Sequence, residues 1–346
     1  MHDIHSNGLA KYVLENGGSV SPIILPKELT NETGIMNPSI FVYRDRILMN
    51  VRHVNYSLYH SEGKKFVHQF GPLAYIHPEN DVTLTTHNIM CELDEDMKVI
   101  SSGRINMKLD TGKPTWNFIG LEDGRLFSWE DRLFLCGVRR DCYDDKGTGR
   151  MELCEIEEIN GEWTEVGRYP IPAPGDNKSY CEKNWMPVLD MPWHFVKWSN
   201  PTQVVKFDIN EGTCVTVNLD ESKVYNLPRD LRGGTQLISM DDFKLAITHE
   251  VDLFNDLFGR KDGHYMHRFI VWDKDWNMSH KTKEFTFMGS QRDMTTGLSF
   301  GIEFATGIAY YDESVLISFG LQDNASFVMK IPKELFFNIL NEGYID

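Results

Sequence analysis

The sequence lacks any apolar run approaching the roughly 20 residues that span a bilayer as a helix, so no membrane-crossing helix is expected in its 346 residues. The opening MHDIHSNGLAKYVLENGG has no basic segment followed by an apolar core, the pattern of a secretory leader. Six cysteines (Cys91, Cys136, Cys142, Cys154, Cys181, Cys214) form no CxxC pair and no regular spacing, which removes the zinc-finger and disulfide-scaffold classes. Cys136, inside LFLCGV, reads as a small buried hydrophobe. Free thiols and a cytoplasmic location are the expectation. Basic blocks are also missing. With 35 basic against 51 acidic residues and a net charge of -16, a phosphate backbone or an anionic membrane surface would be repelled, so neither is expected as a partner. The pair His264 and His267 has no companion ligand motif, and no metal or cofactor is expected. No Pro-, Gly- or Ser-rich linker interrupts the chain, and a single domain over residues 1–346 is the economical division.

Long helical periodicities are scarce, and what fills the chain instead is a recurring hairpin. GLEDGRLFSWEDRLFLCGVRRD (Gly120–Asp141) holds two apolar runs split by Glu130-Asp131, the look of two buried strands at a tight turn. The same plan recurs in Asn37–His53, Glu182–Trp198, Arg232–Glu250 and Glu303–Asp323. The five turns fall near Asp45, Asp131, Met191, Asp241 and Asp312, at intervals of 86, 60, 50 and 71 residues. Further strand-like pieces follow most copies: Met151–Ile159, Gln203–Ile209, His267–Asp273 and Ser326–Ile331. Three or four antiparallel strands repeated five times predict an all-β, five-bladed β-propeller. A β-sandwich would explain the alternation but not the repetition. The ends differ: residues 1–30 form an N-terminal extension with an amphipathic LAKYVLENG, and residues 332–346 a C-terminal helix between Pro332 and Gly343.

Innermost propeller strands line a central channel, so residues opening each unit converge at one mouth. Those residues are Asn37, Glu122, Asp123, Lys183, Asn184, Arg232 and Glu303. The following strands end in Arg52, His53, Arg139, Arg140, Lys197, His249, Glu250 and Asp323. Carboxylates, guanidiniums and a histidine in one funnel suit a hydroxyl-rich ligand, with Arg52, Arg139 and Lys183 available for an anion. Adjacent carboxylates Glu122 and Asp123 do nothing for a strand, but burial and mutual repulsion would raise the pKa of one of them. Asp123 as a turn cap is the alternative. Of Trp116, Trp185 and Trp198, Trp185 is the expected sugar-stacking ring because it adjoins Lys183-Asn184.

These openings resemble those of the inverting β-mannoside phosphorylases and mannosidases of glycoside hydrolase family 130 and the related mannosyltransferase/phosphorylase family. The resemblance runs through Asn37-Pro38 to Arg52, Glu122-Asp123-Gly124-Arg125, Lys183-Asn184 with Pro187, Gly233-Gly234 to His249-Glu250, and Gly307 to Phe319-Gly320-Leu321-Gln322-Asp323. It implies five blades, inverting glycosyl transfer, Asp123 as proton donor beside Glu122, and substrate contacts at the other openings, Arg125 included. Departures fall at Gly124, at Val196-Lys197-Trp198 and at Glu250. They favour a glycosyltransferase that takes a sugar-phosphate or nucleotide-sugar donor and a glycan acceptor. A β-mannoside phosphorylase or hydrolase stays open, as does a propeller that only binds glycans.

Overall fold

The computed structural model describes residues 8–30, 34–55, 66–67, 74–75, 83–107, 113–175, 179–255, 261–289 and 301–342. Helix α1 (Leu9–Glu15), strand β1 (Ser19–Pro22) and the short helix α2 (Lys27–Thr30) precede the first repeat. Blade one holds β2 (Ile35–Tyr43) and β3 (Arg46–Val54). After the small hairpin β4 (Phe66–Val67) and β5 (Ala74–Tyr75) come its β6 (Leu84–Leu93) and β7 (Val99–Arg104), with β8 (Phe118–Ile119) paired to β6. Blade two is β9 (Glu122–Trp129), β10 (Arg132–Arg139), β11 (Arg150–Ile159) and β12 (Glu162–Ile171). Blade three is β13 (Met186–Pro187), β14 (His194–Ser199), β15 (Thr202–Asp208) and β16 (Thr213–Leu219). Blade four is β17 (Arg232–Gly233), β18 (Ile238–Met240), β19 (Phe243–Asn255), β20 (Lys261–Trp272) and β21 (Met278–Lys281). Blade five is β22 (Glu303–Tyr311), β23 (Ser314–Leu321) and β24 (Ala325–Pro332), followed by helix α3 (Lys333–Glu342).

The five expected hairpin turns are all present, and their sequence explains them. Arg44-Asp45 and Glu130-Asp131 each place two consecutive residues at positive φ, the two-residue turn whose twist matches that of the flanking strands. One pairing goes beyond the sequence reading. The N-terminal extension contributes β1, which pairs antiparallel with β24 and completes the fifth blade, so chain start and chain end are stitched into one sheet. Gly343 lies outside the described residues.

Alternate residues of each strand pack between blades. Phe287 stacks on Phe319 at 4.3 Å between ring centres in the cluster shared by blades four and five. Leu9, Val13, Phe336, Ile339 and Leu340 from α1 and α3 cover the same cluster. Each such fully buried side chain contributes about 1.5–3 kcal/mol of transfer free energy. Near the axis the inner strands are tied by polar bonds. Gln236 Nε2 donates to Ile40 O (3.0 Å) and Ile308 O (2.8 Å), joining three blades.

Candidate active site

A bulge occurs where the inner strand meets its neighbour in blades one, two and five, and between the second and third strands, β14 and β15, in blade three. Asn37-Pro38 oppose a single residue between the pairs Met36–Arg52 and Ser39–Asn50, and Asp123-Gly124 do so between Glu122–Val138 and Arg125–Cys136. Lys197 and Thr306 are the extra residues in blades three and five. A bulge re-aims a side chain out of the strand's alternation. Asn37 and Asp123 accordingly sit at φ +48° and +54°, with Asn184 at +62° and Asp323 at +48°. Asn and Asp are the side chains that tolerate this left-handed region best. The second bulge depends on Gly137: a Cβ there would lie 2.4 Å from Glu122 O.

The bulges bring Asn37, Arg52, Glu122 and Asp123 together. Asp123 Oδ1 accepts from Asn37 Nδ2 (2.7 Å) and Arg52 Nη1 (2.8 Å), while Arg52 Nη2 lies 3.4 Å from Glu122 Oε2 and its Nε donates to Thr86 Oγ1 (3.1 Å). Burial alone would raise Asp123, but the charge of Arg52, the Asn37 hydrogen bond, and the charges of Arg125 and Lys183 together hold it below the usual carboxylate range. Glu122 goes the other way, pushed up by burial against the pull of Arg52, with Asp123 adding to the rise. Half-buried Asp323 is raised to about 6 by burial, opposed by Arg52 and Lys183 and helped by Asp123. The adjacent pair therefore does split its pKa values, but Glu122 rather than Asp123 is the member that holds a proton more tightly.

Exposed Lys183 and half-buried Arg232 line a cleft of about 230 Å³ between blades three and four, together with Cys181, Glu182, Asn184, Lys197, Trp198, Asp230 and Gly233. Their charges reach inward: Lys183 acts on Glu122, Asp123 and Asp323, and Arg232 on His249. His249 is 3% exposed, stacked on Tyr265 and edge-on to Phe304. Burial first, then the neighbouring His267, Arg232 and Lys183, keep its imidazole neutral.

Other expected contacts are placed differently. Arg125 is fully buried and spends its guanidinium on Gly234 O (2.8 Å), Asp123 O (2.9 Å) and Asn184 Oδ1 (3.2 Å), a brace across three blades rather than a hand for substrate. Arg139, expected to bind an anion, has Nε 2.7 Å and Nη2 3.3 Å from the Asp141 carboxylate, so its charge is matched internally. Arg140 bonds Gly147 O and Tyr180 Oη. Buried His53 pairs its Nε2 with Thr30 O and stacks on His87. Glu250 is buried against Arg268 Nε at 2.5 Å. Glu303 accepts the backbone N–H groups of Phe287 (2.5 Å) and Met288 (2.7 Å), which pins that segment to blade five. Trp185 is 1% exposed and donates Nε1 to Glu182 Oε2, so it is core and offers no sugar platform. The exposed indole of this cleft is Trp198, at 47%. No group of three or more His, Cys, Asp or Glu among the described residues is arranged to hold a metal ion.

Fold and site together define a five-bladed propeller whose inner strands gather Asn37, Arg52, Glu122 and Asp123, and the resemblance read from the five openings extends to the whole architecture. No family model and no curated protein sequence matches the chain. Solved structures do. A candidate glycoside hydrolase from Parabacteroides distasonis is similar at 14% identity over 88% of each chain, with a TM-score of 0.58. A β-1,2-mannobiose phosphorylase from Listeria innocua, in complex with β-1,2-mannobiose, is similar at 11% identity over 93% of each chain, TM-score 0.52. A third structure comes from glycoside hydrolase family 130 of mannoside phosphorylases, which contains hydrolases that target β-1,2 mannosidic linkages in Candida mannan. It is similar at 12% identity over 87% of this chain and 85% of its own, TM-score 0.54. At these identities the likeness establishes a shared fold.

Proposed function

We propose that the chain is an inverting, glycoside-cleaving enzyme of the β-mannoside class, and that it works by phosphorolysis. The observation that carries this reading is the Asn37–Asp123–Arg52 clamp, with Glu122 and Asp323 beside it. Inverting transfer needs a proton for the leaving oxygen and a nucleophile on the opposite face of the sugar. With Oδ1 of Asp123 held by two donors, its Oδ2 is the oxygen that meets the substrate. Phosphate, held by Lys183 and Arg232 through charge-assisted hydrogen bonds, is the nucleophile.

The proton belongs to the carboxyl set rather than to one residue. In the ligand-free protein Glu122 and Asp323 are raised and Asp123 is lowered. A phosphate on Lys183 cancels part of the positive field that lowers Asp123 and so draws the proton toward it. The glycosidic C–O bond then breaks as that proton passes to the leaving oxygen, and a phosphate oxygen bonds the anomeric carbon, giving an α-sugar 1-phosphate from a β-mannoside.

The glycosyltransferase reading gives way to cleavage because the similar structures are described as glycosidases and phosphorylases. Hydrolysis is the second reading, favoured by one observation: Arg139 is matched by Asp141 and unavailable to phosphate. In that case water replaces phosphate and one of the flanking carboxylates acts as its base. Incubation of the purified protein with a β-mannoside panel, with and without phosphate, followed by phosphorus NMR, tests the choice. Sugar phosphate formed only when phosphate is present supports phosphorolysis, free sugar alone supports hydrolysis, and no cleavage of any glycoside overturns both.

A further inference from the structure

The backbone that carries Glu122 and Asp123 is gripped at its carbonyls by side chains of blade one. Asn50 Nδ2 donates to Gly124 O at 2.9 Å and Asn88 Nδ2 to Leu121 O at 3.1 Å, so one amide holds the chain just after the carboxylate pair and the other just before it. The two amides are joined to each other, Asn50 Nδ2 to Asn88 Oδ1 at 3.0 Å, and both are buried, at 0% and 2% exposure. Asn50 lies two residues before Arg52 on β3, hence on the same face of the strand, and Asn88 is the register partner of Arg52 on β6. The amide pair and Arg52 are thus one unit of blade one, and that unit sets the 2.8 Å contact between Arg52 Nη1 and Asp123 Oδ1. Gly124 leaves room for it: a Cβ there would lie 3.2 Å from Asn50 Nδ2 and 3.3 Å from Asn88 Oδ1.

The same arrangement occurs one blade earlier. Asn50 is the residue paired next to the bulge of blade one on its turn side, and Ser318 has that place in blade five. Ser318 Oγ donates to Pro38 O, as does Thr306 Oγ1 at 2.7 Å, which holds the Asn37-Pro38 bulge from the neighbouring blade. In blade two the corresponding residue is Cys136, packed in the core, and the blade that follows has no register shift between β13 and β14. A polar side chain stands at this position where the next blade has an inner bulge to hold, and an apolar one where it has none. Folding alone does not call for the amides. Asn50 Oδ1 is buried without a hydrogen-bond partner among the described residues, a destabilising arrangement that an apolar pair of similar size would avoid.

We infer that Asn50 and Asn88 are positioning residues of this site, which act through the backbone of residues 121–124 to hold Asp123 against Arg52 without touching substrate. Their role in turnover rests on the reading of Asp123 as the group that passes the proton; their hold on the 121–124 backbone does not. The test compares wild type with Asn50→Ala, Asn88→Ala and Gly124→Ala. Misplacing a reacting group by about 1 Å can cost about a hundredfold, so kcat should fall about 10- to 100-fold in both Asn variants while KM for phosphate stays within about twofold. Neither amide bonds to the cleft that holds Lys183 and Arg232.

The pH profile separates positioning from a general loss of structure. Burial raises Asp123, and Arg52 is the first of the groups that lower it. With the Arg52 contact lengthened, the carboxyl set keeps its proton to higher pH, and the alkaline limb of kcat/KM moves up. A merely structural defect reduces the active fraction and leaves the limb in place. Gly124→Ala removes no donor but presses on both amides, so it should lower kcat and move the limb the same way in a protein that melts close to wild type. Wild-type kcat in the Asn variants, or a lowered kcat with an unmoved limb, overturns the inference; if the Asn variants do not fold, an unchanged kcat and limb in Gly124→Ala does so. A measurement independent of turnover is the denaturant unfolding of Asn50→Ala, Asp123→Asn and the double variant. Asp123→Asn should cost less in the Asn50→Ala background, by at least about threefold in the unfolding equilibrium, because members of one network are not additive. Should wild type cleave no glycoside, the proposed reaction falls and this cycle decides alone: non-additivity upholds the hold on Asp123, and additivity ends it.

Discussion

Arg52→Ala tests the electrostatics of the funnel at its centre. Arg52 is 7% exposed at its side chain and faces two carboxylates that are themselves only 13% and 14% exposed. Removing one partner of a buried charge pair typically costs about 3–5 kcal/mol, because the other charge is left uncompensated. In a chain of 346 residues that corresponds to a fall in Tm of about 4–7 °C. The pH dependence identifies the mechanism. Asp123 has a folded-state pKa held below its ordinary value, burial being outweighed by Arg52, Asn37, Arg125 and Lys183. Its stability contribution is therefore present above the ordinary carboxylate pKa and is lost as pH falls through the depressed one. Without Arg52 the largest of these lowering influences is gone, so wild type and variant should differ most near pH 7, draw closer toward pH 4 as the orphaned carboxylates take up protons, and converge only below the depressed Asp123 pKa. Thermal melts at half-unit pH steps measure this. A Tm deficit that is constant from pH 4 to 8, or absent throughout, would refute the charge-pair reasoning.

Other outcomes follow from single sites. Gly137→Ala should cost about 1–3 kcal/mol and also depress activity, since its Cβ would meet Glu122 O at 2.4 Å and displace the bulge that aims Asp123; denaturant melts and turnover measured together check it. Glu303→Gln should flatten stability between about pH 5 and 8: the Glu303 pKa is raised to about 7, mainly by burial, so its contribution is full at low pH and fades as pH rises through 7. Melts of wild type and variant at pH 5 and pH 8 report the difference. Lys183→Ala and Arg232→Ala should raise the KM for phosphate more than that for the glycoside, each lost charge-assisted contact costing about 1.5–3 kcal/mol. If phosphate KM is unmoved in both, the cleft between blades three and four is not the anion site.

Much of the architecture was legible because it is written in local chemistry. The Asp-containing turns at 45, 131, 241 and 312 carry residues at positive φ, and the alternating runs around them specify which face is buried. Strand β1 was not legible: SVSP is four residues long and ends in proline, and only its pairing with β24 makes it a strand. In the site, odd residues at strand openings pointed to the mouth, since Asn37 and Asp123 are strange choices for strand interiors but good ones for bulges. What failed was the assignment of partners. Arg139 and Asp141 are two apart, hence on one side of an extended chain, and that pairing was within reach of the sequence. Glu250 with Arg268, and Glu303 with the 287–288 backbone, are tertiary and were not. Trp185 was expected at the mouth because it adjoins Lys183-Asn184, but its indole is buried and held by Glu182 Oε2, a tertiary contact the sequence does not display; Trp198 is the exposed one, next to a bulge at Lys197 that a period-two reading does not see.

The most direct measurement of the central claim is proton NMR of the anomer first formed when a β-mannoside that the wild type cleaves is incubated with phosphate and either wild type or Asp123→Asn. Asp123→Asn keeps the shape of the clamp but cannot pass on a proton, and loss of a general acid lowers rates about 10²–10⁴-fold. The expected result is α-configured sugar 1-phosphate from the wild type and at least a hundredfold slower appearance from a folded Asp123→Asn variant. Retained β configuration in the first product, or an Asp123→Asn variant that turns over at the wild-type rate, would contradict it.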